Sequence, residues 1–179
     1  MKTFDWLKKV ELVEMKYCFY KEDPVRPELD NKFRTSRGRK IFGLKHGKDI
    51  IAVMCFAFTH EIPKDIEELD LLSYDAFMQA THRAGAQGNI AVAYTVWSKK
   101  KGGGKRIVQE IFKMVKKSSH LNRLITLSPL TQMARDFHLR NGAIELRVNP
   151  SSQNFEYTIE NKWWKNYLKH AKKWFKLKK

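Results

Sequence analysis

What the chain has little of narrows its class before any motif is read. Two cysteines in 179 residues, Cys18 and Cys55, lie far apart without CxxC spacing. That argues against a disulfide-stapled scaffold, and both are expected to be buried reduced thiols. The six histidines form no HxxxH or HExxH pattern, and no acidic cluster resembles a metal-binding loop, so no metal is expected. No apolar run approaches the roughly 20 residues that cross a bilayer, so no transmembrane segment is expected. The opening stretch MKTFDWLKKVELVEMK is charged throughout, unlike a secretory signal. A cytoplasmic protein fits these absences. Internal repeats and Ser/Pro-rich linkers are also missing, which leaves one domain with at most an appendage.

Acidic residues are in short supply as well. Nineteen Asp and Glu face 35 Lys and Arg, for a formal net charge of +16. Half of that excess sits in residues 161–179 (NKWWKNYLKHAKKWFKLKK), with eight lysines and no acid. Such charge favours polyanions, among them nucleic acid, anionic lipid and phosphate-bearing small ligands. Trp163, Trp164, Tyr167, Leu168, Ala171, Trp174 and Phe175 recur at helical spacing, and every lysine falls outside their stripe. The segment reads as a basic amphipathic helix, appended to a domain of residues 1–160. It suits docking on the domain, a nucleic-acid arm with lysines on phosphates and aromatics on bases, or a membrane-surface helix.

An apolar fraction of 42% supplies a core for that domain. Residues 10–20 alternate as a strand, and 24–38, polar and proline-bearing, read as a loop or short helix. Two apolar runs flank His46, Gly47 and Lys48 as a hairpin, its second arm (50–58) continuously apolar like a strand covered on both faces. Pro63, Asp65, Glu67 and Glu68 mark a helix start or an acidic loop, with a helix over 73–84. AGAQGN breaks the chain before a strand at 89–98. Ile107, Val108, Ile111, Phe112 and Val115 form one helical face, and 124–127 a strand stopped by Ser128 and Pro129. Leu130, Met133, Ala134 and Phe137 mark another helix, with Asn141 and Gly142 as its left-handed exit. Residues 143–148 and 154–159 make a last strand pair. The order implies an α/β (α+β) domain around a mixed sheet.

The run 99–104 (KKKGGG) lies between a strand and an amphipathic helix. Three glycines there let backbone N–H groups converge on an anion, and the next helix adds its unpaired N–H groups and positive dipole end. Lys99, Lys100, Lys101, Lys105 and Arg106 bracket the spot. A flexible solvated turn is the plain alternative. GxxxxGK[ST] and GxGxxG patterns are both missing, so neither a Walker loop nor a dinucleotide fingerprint is implied.

Lys99-x-x-Gly102-x-Gly104 resembles the (Q/R)xxGxG/A signature of the Gcn5-related N-acetyltransferase (GNAT) superfamily, with Lys in first place. ARDFHLRNGA is similar to that superfamily's AxxxYxxxGF element, with His138 near its tyrosine. The resemblance implies a GNAT-like mixed, mostly antiparallel sheet flanked by helices. It also implies acetyl-CoA or another acyl-CoA as co-substrate, with an unidentified amine as acceptor. The phosphates would lie on Lys99, Lys101, Gly102, Gly103, Gly104, Lys105 and Arg106, and the backbone of Val96 and Trp97 would meet the acyl carbonyl and pantetheine amides. A narrower resemblance is to the malonyl-CoA decarboxylase catalytic domain, through TLSP (126–129), FHLRNGA (137–143) and CFAFTH (55–60). It implies Ser128 and His138 as catalytic residues. The glycine loop here is shorter and more basic than in that family.

His138 borders the apolar face of its helix, where it suits protonation of a departing CoA thiolate or acceptance of an amine proton. The alternative is a satisfied, partly buried histidine. Ser128 suits a hydrogen bond to the acyl carbonyl or thiol, or an N-cap for the helix at 130. Glu67, Glu68, Asp70 and Asp75 fall where an acceptor site is expected, and equally suit a solvated acidic face. Three functions follow: acyl-CoA-dependent acyl transfer to an amine, a decarboxylase-like reaction through Ser128 and His138, or nucleic-acid binding with a non-catalytic phosphate loop.

Overall fold

The computed structural model describes residues 10–83 and 87–158, so the basic aromatic segment 161–179 lies outside the described residues. Strands β1 (Val10–Met15), β2 (Lys40–His46) and β3 (Asp49–Thr59) form a meander whose tight turn holds Gly47 at φ +64°. Between β1 and β2 lie a 3-10 turn (Tyr20–Glu22) and the short helix α1 (Asn31–Thr35), capped by Asp30. The proline-bearing stretch is thus loop and short helix together.

Helix α2 (Ile66–Arg83) is longer than the expected 73–84. Asp65 accepts the Glu68 N–H (2.8 Å) at its start, so the acids open a helix and are not a loop. The buried stripe of α2 sets one large apolar residue, Leu69, beside the small Ser73 and Ala76, so apolar periodicity marks its early turns weakly. The chain continues through β4 (Ile90–Ser98), α3 (Gly103–Lys117), β5 (Arg123–Pro129), α4 (Gln132–Arg140), β6 (Ile144–Val148) and β7 (Ser152–Tyr157).

Among the described residues these strands form one sheet in the order β1-β2-β3-β4-β5-β7-β6, antiparallel throughout except at β4–β5. One face packs Phe42, Phe56, Leu124 and Phe155 under Ile107, Ile111 and Val115 of α3. The other packs Ile41, Val53, Val92 and Leu127 with Leu29 and with Leu69 of α2. Strand β3 is buried along nearly its whole length, as its unbroken apolar run requires. In β4, Thr95 pairs with Cys55 and Ala93 with Phe56, leaving Tyr94 as an extra residue. Such a bulge bends its strand and sharpens the twist. The β4–β5 ladder covers only Ile90–Ala93 against Arg123–Thr126, and the strands part beyond it.

Candidate active site in the gap between β4 and β5

Where a parallel pair separates, both strands present unpaired main-chain groups that need partners. Arg26 takes the first two. Its Nε donates to Tyr94 O (2.9 Å) and its Nη2 to Leu127 O (3.3 Å), one residue beyond the last ladder pair on each strand. The loop carrying Arg26 is fixed by Asp23, which accepts from Val25 N–H (2.9 Å), Thr95 Oγ1 (2.7 Å) and Arg34 Nη2 (2.8 Å). Both partners of the Asp23–Arg34 pair are fully buried. Arg34 further donates to Leu29 O (2.7 Å) and Arg26 O (2.8 Å), so the charge is well solvated by protein dipoles. Pro24 and Val25 consequently wall the gap on the side opposite α3 and α4.

The resulting cleft is bounded by Val96, Trp97, Ser98, Gly104, Val108, Ala134 and Phe137, with Thr126, Ser128, His138 and Tyr157 at its foot. Ser128 Oγ lies 2.8 Å from His138 Nε2, and His138 Nδ1 lies 3.0 Å from Tyr157 Oη. Ser128 also donates to Thr126 Oγ1 (3.1 Å). Ser128 does not cap α4; that role belongs to Thr131, whose hydroxyl accepts the Ala134 N–H (3.2 Å). The His138 ring stacks on Phe155 (centroids 4.9 Å apart) and meets Phe137 edge-on (5.1 Å). Burial pushes its pKa down to about 4, so the imidazole is neutral at pH 7. Burial also pushes the Tyr157 phenol up, keeping its proton. The helical face expected from Leu130, Met133, Ala134 and Phe137 is corrected. Leu130 and Met133 are exposed while His138 is buried, because α4 leans on the sheet through its imidazole and Phe137.

The glycines have distinct reasons. Gly102 caps α3 at φ +83°, a left-handed conformation. A Cβ on Gly103 would stand 3.1 Å from Ile51 O, so the loop rests directly on the β3 backbone. Gly104 borders the cleft with room for a Cβ, 3.4 Å from the Phe137 ring. Arg106 N–H bonds back to Gly102 O (3.0 Å), which leaves the N–H groups of Gly104 and Lys105 without helical acceptors at the positive end of α3. Lys101, Lys105 and Arg106 line a concavity beside this turn, together with Lys100 and His46. Lys99 does not join them. Its Nζ pairs with Glu22 (2.6 Å) and lies over the Phe19 ring, on a separate cavity.

Val96 and Trp97 line the cleft, and the Trp97 Nε1, buried, has no hydrogen-bond partner among the described residues. Glu67, Glu68, Asp70 and Asp75 lie on α2 and none of them lines the cleft, and Asp70 is held by Arg39 (2.6 Å). Among the described residues no group of His, Cys, Asp and Glu could hold a metal, and no helix is long and apolar enough to cross a membrane. Sequence reading missed Arg26 and Tyr157, since each acquires its role from a partner on another strand or loop, and it gave Thr126 no role although that residue opens TLSP.

No protein-family model and no curated protein matches the sequence. Solved structures do resemble the fold. Malonyl-CoA decarboxylase from Cupriavidus metallidurans superposes with a TM-score of 0.56 at 13% identity over 83% of this chain, which spans 61% of that enzyme. The GNAT-like decarboxylase GphF in complex with isobutyryl-CoA gives 0.58 at 10% identity, over 83% of this chain and 98% of that one. Arabidopsis thaliana NAA60 in complex with acetyl-CoA gives 0.54 at 13% identity, over 86% and 100%. The fold is that of the GNAT acyl-CoA-dependent acyltransferases. The same likeness of fold extends to GNAT-like decarboxylases.

Proposed function

We propose that the protein is an acyl-coenzyme A enzyme that decarboxylates a carboxyacyl thioester such as malonyl-CoA. The contact of Ser128 Oγ with His138 Nε2 (2.8 Å), at the foot of an apolar cleft closed behind by the Arg26 loop, carries this reading. Acyl-CoA fits the residues present. Backbone N–H groups of Gly104 and Lys105, with Lys101, Lys105 and Arg106, would hold its phosphates. The unpaired edge of β4 at Val96 and Trp97 would hold the pantetheine amides.

A substrate carboxylate in apolar surroundings loses its hydration, which favours departure of carbon dioxide. The electrons of the broken C–C bond then pass to the thioester oxygen as an enolate, and one solvent-derived proton finally adds to the α-carbon. Tyr157, donating to His138 Nδ1, sets the imidazole proton on Nε2, and that N–H donates to Ser128 Oγ. The Ser128 hydrogen is then free to leave Thr126 for the enolate oxygen. A neutral imidazole serves this chain of donors without adding charge to the cleft.

A second reading, acyl transfer to an amine, is favoured by one observation. A cavity of about 720 Å³ on the other face, lined by Cys18, Phe19 and Glu22, shares Trp97 with the cleft. An acceptor amine there would reach the thioester from the far side: the N–C bond forms as the C–S bond breaks, the proton lost by the nitrogen passes through water to the departing thiolate, and the Ser128 hydroxyl would hydrogen-bond that sulfur.

Incubation with malonyl-CoA alone separates the two. Decarboxylation yields carbon dioxide and acetyl-CoA in equal amounts, and Ser128→Ala lowers the rate about 100-fold or more. Acyl loss that requires an added amine, with no carbon dioxide, establishes transfer. Failure of calorimetry to detect CoA binding, or binding indifferent to Gly104→Val, overturns both.

A further inference from the structure

The chain's two cysteines, Cys18 and Cys55, are buried free thiols, and neither takes part in the chemistry of the cleft. They share the core cluster on the α2 face of the sheet, Cys55 from the middle of β3 and Cys18 from the loop after β1. Asn31 clasps the main chain at Cys18. Its Oδ1 accepts the Cys18 N–H (2.9 Å) and its Nδ2 donates to Cys18 O (3.1 Å). The Cys18 thiol so held lies 3.5 Å from the same Oδ1 and is a hydrogen-bonding neighbour of Cys55. Arg34 Nη1 in turn donates to Cys55 Sγ (3.2 Å), while its Nη2 holds Asp23. A thiol kept for packing alone behaves as a small hydrophobe. Two thiols in contact, one of them under a guanidinium, are arranged for thiolate chemistry.

The two sulfurs are also unequal. Hydrogen bonding from Cys55 holds the Cys18 thiol below its ordinary pKa, and the Arg34 charge adds to this against the opposing effect of burial. Burial pushes the Cys55 thiol well up, so it keeps its proton. Cys18 lines the cavity of about 720 Å³ between the exposed rings of Tyr17 and Phe19, and Cys55 does not line it. Lys99 and Lys100 on that cavity pair with Glu22 and Asp49. Lys16 and Lys48 line it with no ion pair among the described residues, which favours an anionic reagent.

We propose that Cys18 and Cys55 form a redox-active dithiol, closed to an intramolecular disulfide by a small anionic disulfide of the glutathione type. Cys18 gives its proton to water and its thiolate attacks one sulfur of the reagent. The reagent's S–S bond breaks, and the first thiol departs with a proton from water. Cys55 Sγ then attacks Cys18 Sγ, and its proton passes to the second departing thiolate. The two cysteines lose two electrons and two protons, and the reagent is reduced to two thiols.

The full-length chain, incubated with oxidised glutathione at neutral pH, alkylated in denaturant and mapped by mass spectrometry, tests this. Both thiols are expected to disappear together into peptides joined Cys18 to Cys55, with no glutathione retained, and dithiothreitol restores both. Cys55→Ala stops at glutathione on Cys18, and Cys18→Ala slows the loss of Cys55 about tenfold or more. Circular dichroism melts establish that each variant is folded, and the wild-type linkage decides alone where one is not. Two thiols that stay open to alkylation, glutathione persisting on wild-type Cys18, or linkage between chains overturns the proposal. Linkage at a rate that rises with sub-denaturing urea also overturns it, because the thiols then meet the reagent only through unfolding.

Discussion

His138 gives the sharpest quantitative expectation, because its burial ties the site to the stability of the fold. The imidazole titrates at about 4 in the folded protein against an ordinary 6.5. The unfolded chain therefore takes up a proton at a pH where the folded protein does not, and unfolding becomes more favourable as the pH falls. The contribution is small at pH 7, grows as pH drops below 6.5, and stops growing below about 4. Linkage puts the loss between pH 7 and pH 5 at about 2 kcal/mol and that between pH 7 and pH 4 at about 3 kcal/mol. Urea unfolding at several pH values reads this directly, with His138→Gln as the control that keeps a hydrogen-bonding side chain but cannot titrate. Ionisations common to both proteins cancel, so the difference between the two curves isolates the imidazole. Identical slopes for wild type and variant between pH 7 and pH 5 would falsify the assignment of His138 as a buried neutral base.

The other expectations concern the loop and the struts. Gly103→Ala drives a Cβ to 3.1 Å from Ile51 O and should cost about 1–3 kcal/mol of stability. Gly104→Ala, meeting only the Phe137 ring at 3.4 Å, should melt near wild type while binding CoA more weakly; thermal melts and calorimetry on both variants check the contrast. Arg34→Met strands the buried Asp23 carboxylate, and breaking a buried pair in this way costs about 3–5 kcal/mol. That corresponds to roughly 10 °C in a melt of a chain this size, and a shift of one or two degrees contradicts it. Tyr157→Phe removes only the hydroxyl at 3.0 Å from His138 Nδ1. Turnover should fall about tenfold with CoA affinity within a factor of two, and an unchanged rate removes Tyr157 from the relay.

The local chemistry of the chain was enough to determine several features. The unbroken apolar run of β3, the face of α3 and the glycine turn ahead of it follow from periodicity and from the backbone freedom of glycine, which act over a few residues. Ser128 and His138 could be singled out by their motifs. Only the tertiary structure decided what they do. The register of β4 against β3 ejects Tyr94 and parts β4 from β5, and this opens the cleft that the glycine turn faces. Ser128 and His138 are ten residues apart and meet at 2.8 Å because α4 packs back over the end of β5. Tyr157 joins them from a strand added next to β5, and Arg26 closes the gap from a loop 68 residues before Tyr94. The same distinction applies to charge. Lysine count made the whole run 99–105 look like one anion site, yet the turn of the backbone sends Lys99 to Glu22 on the other face. Residue type sets what chemistry is possible, and non-local packing sets which groups share a dry space.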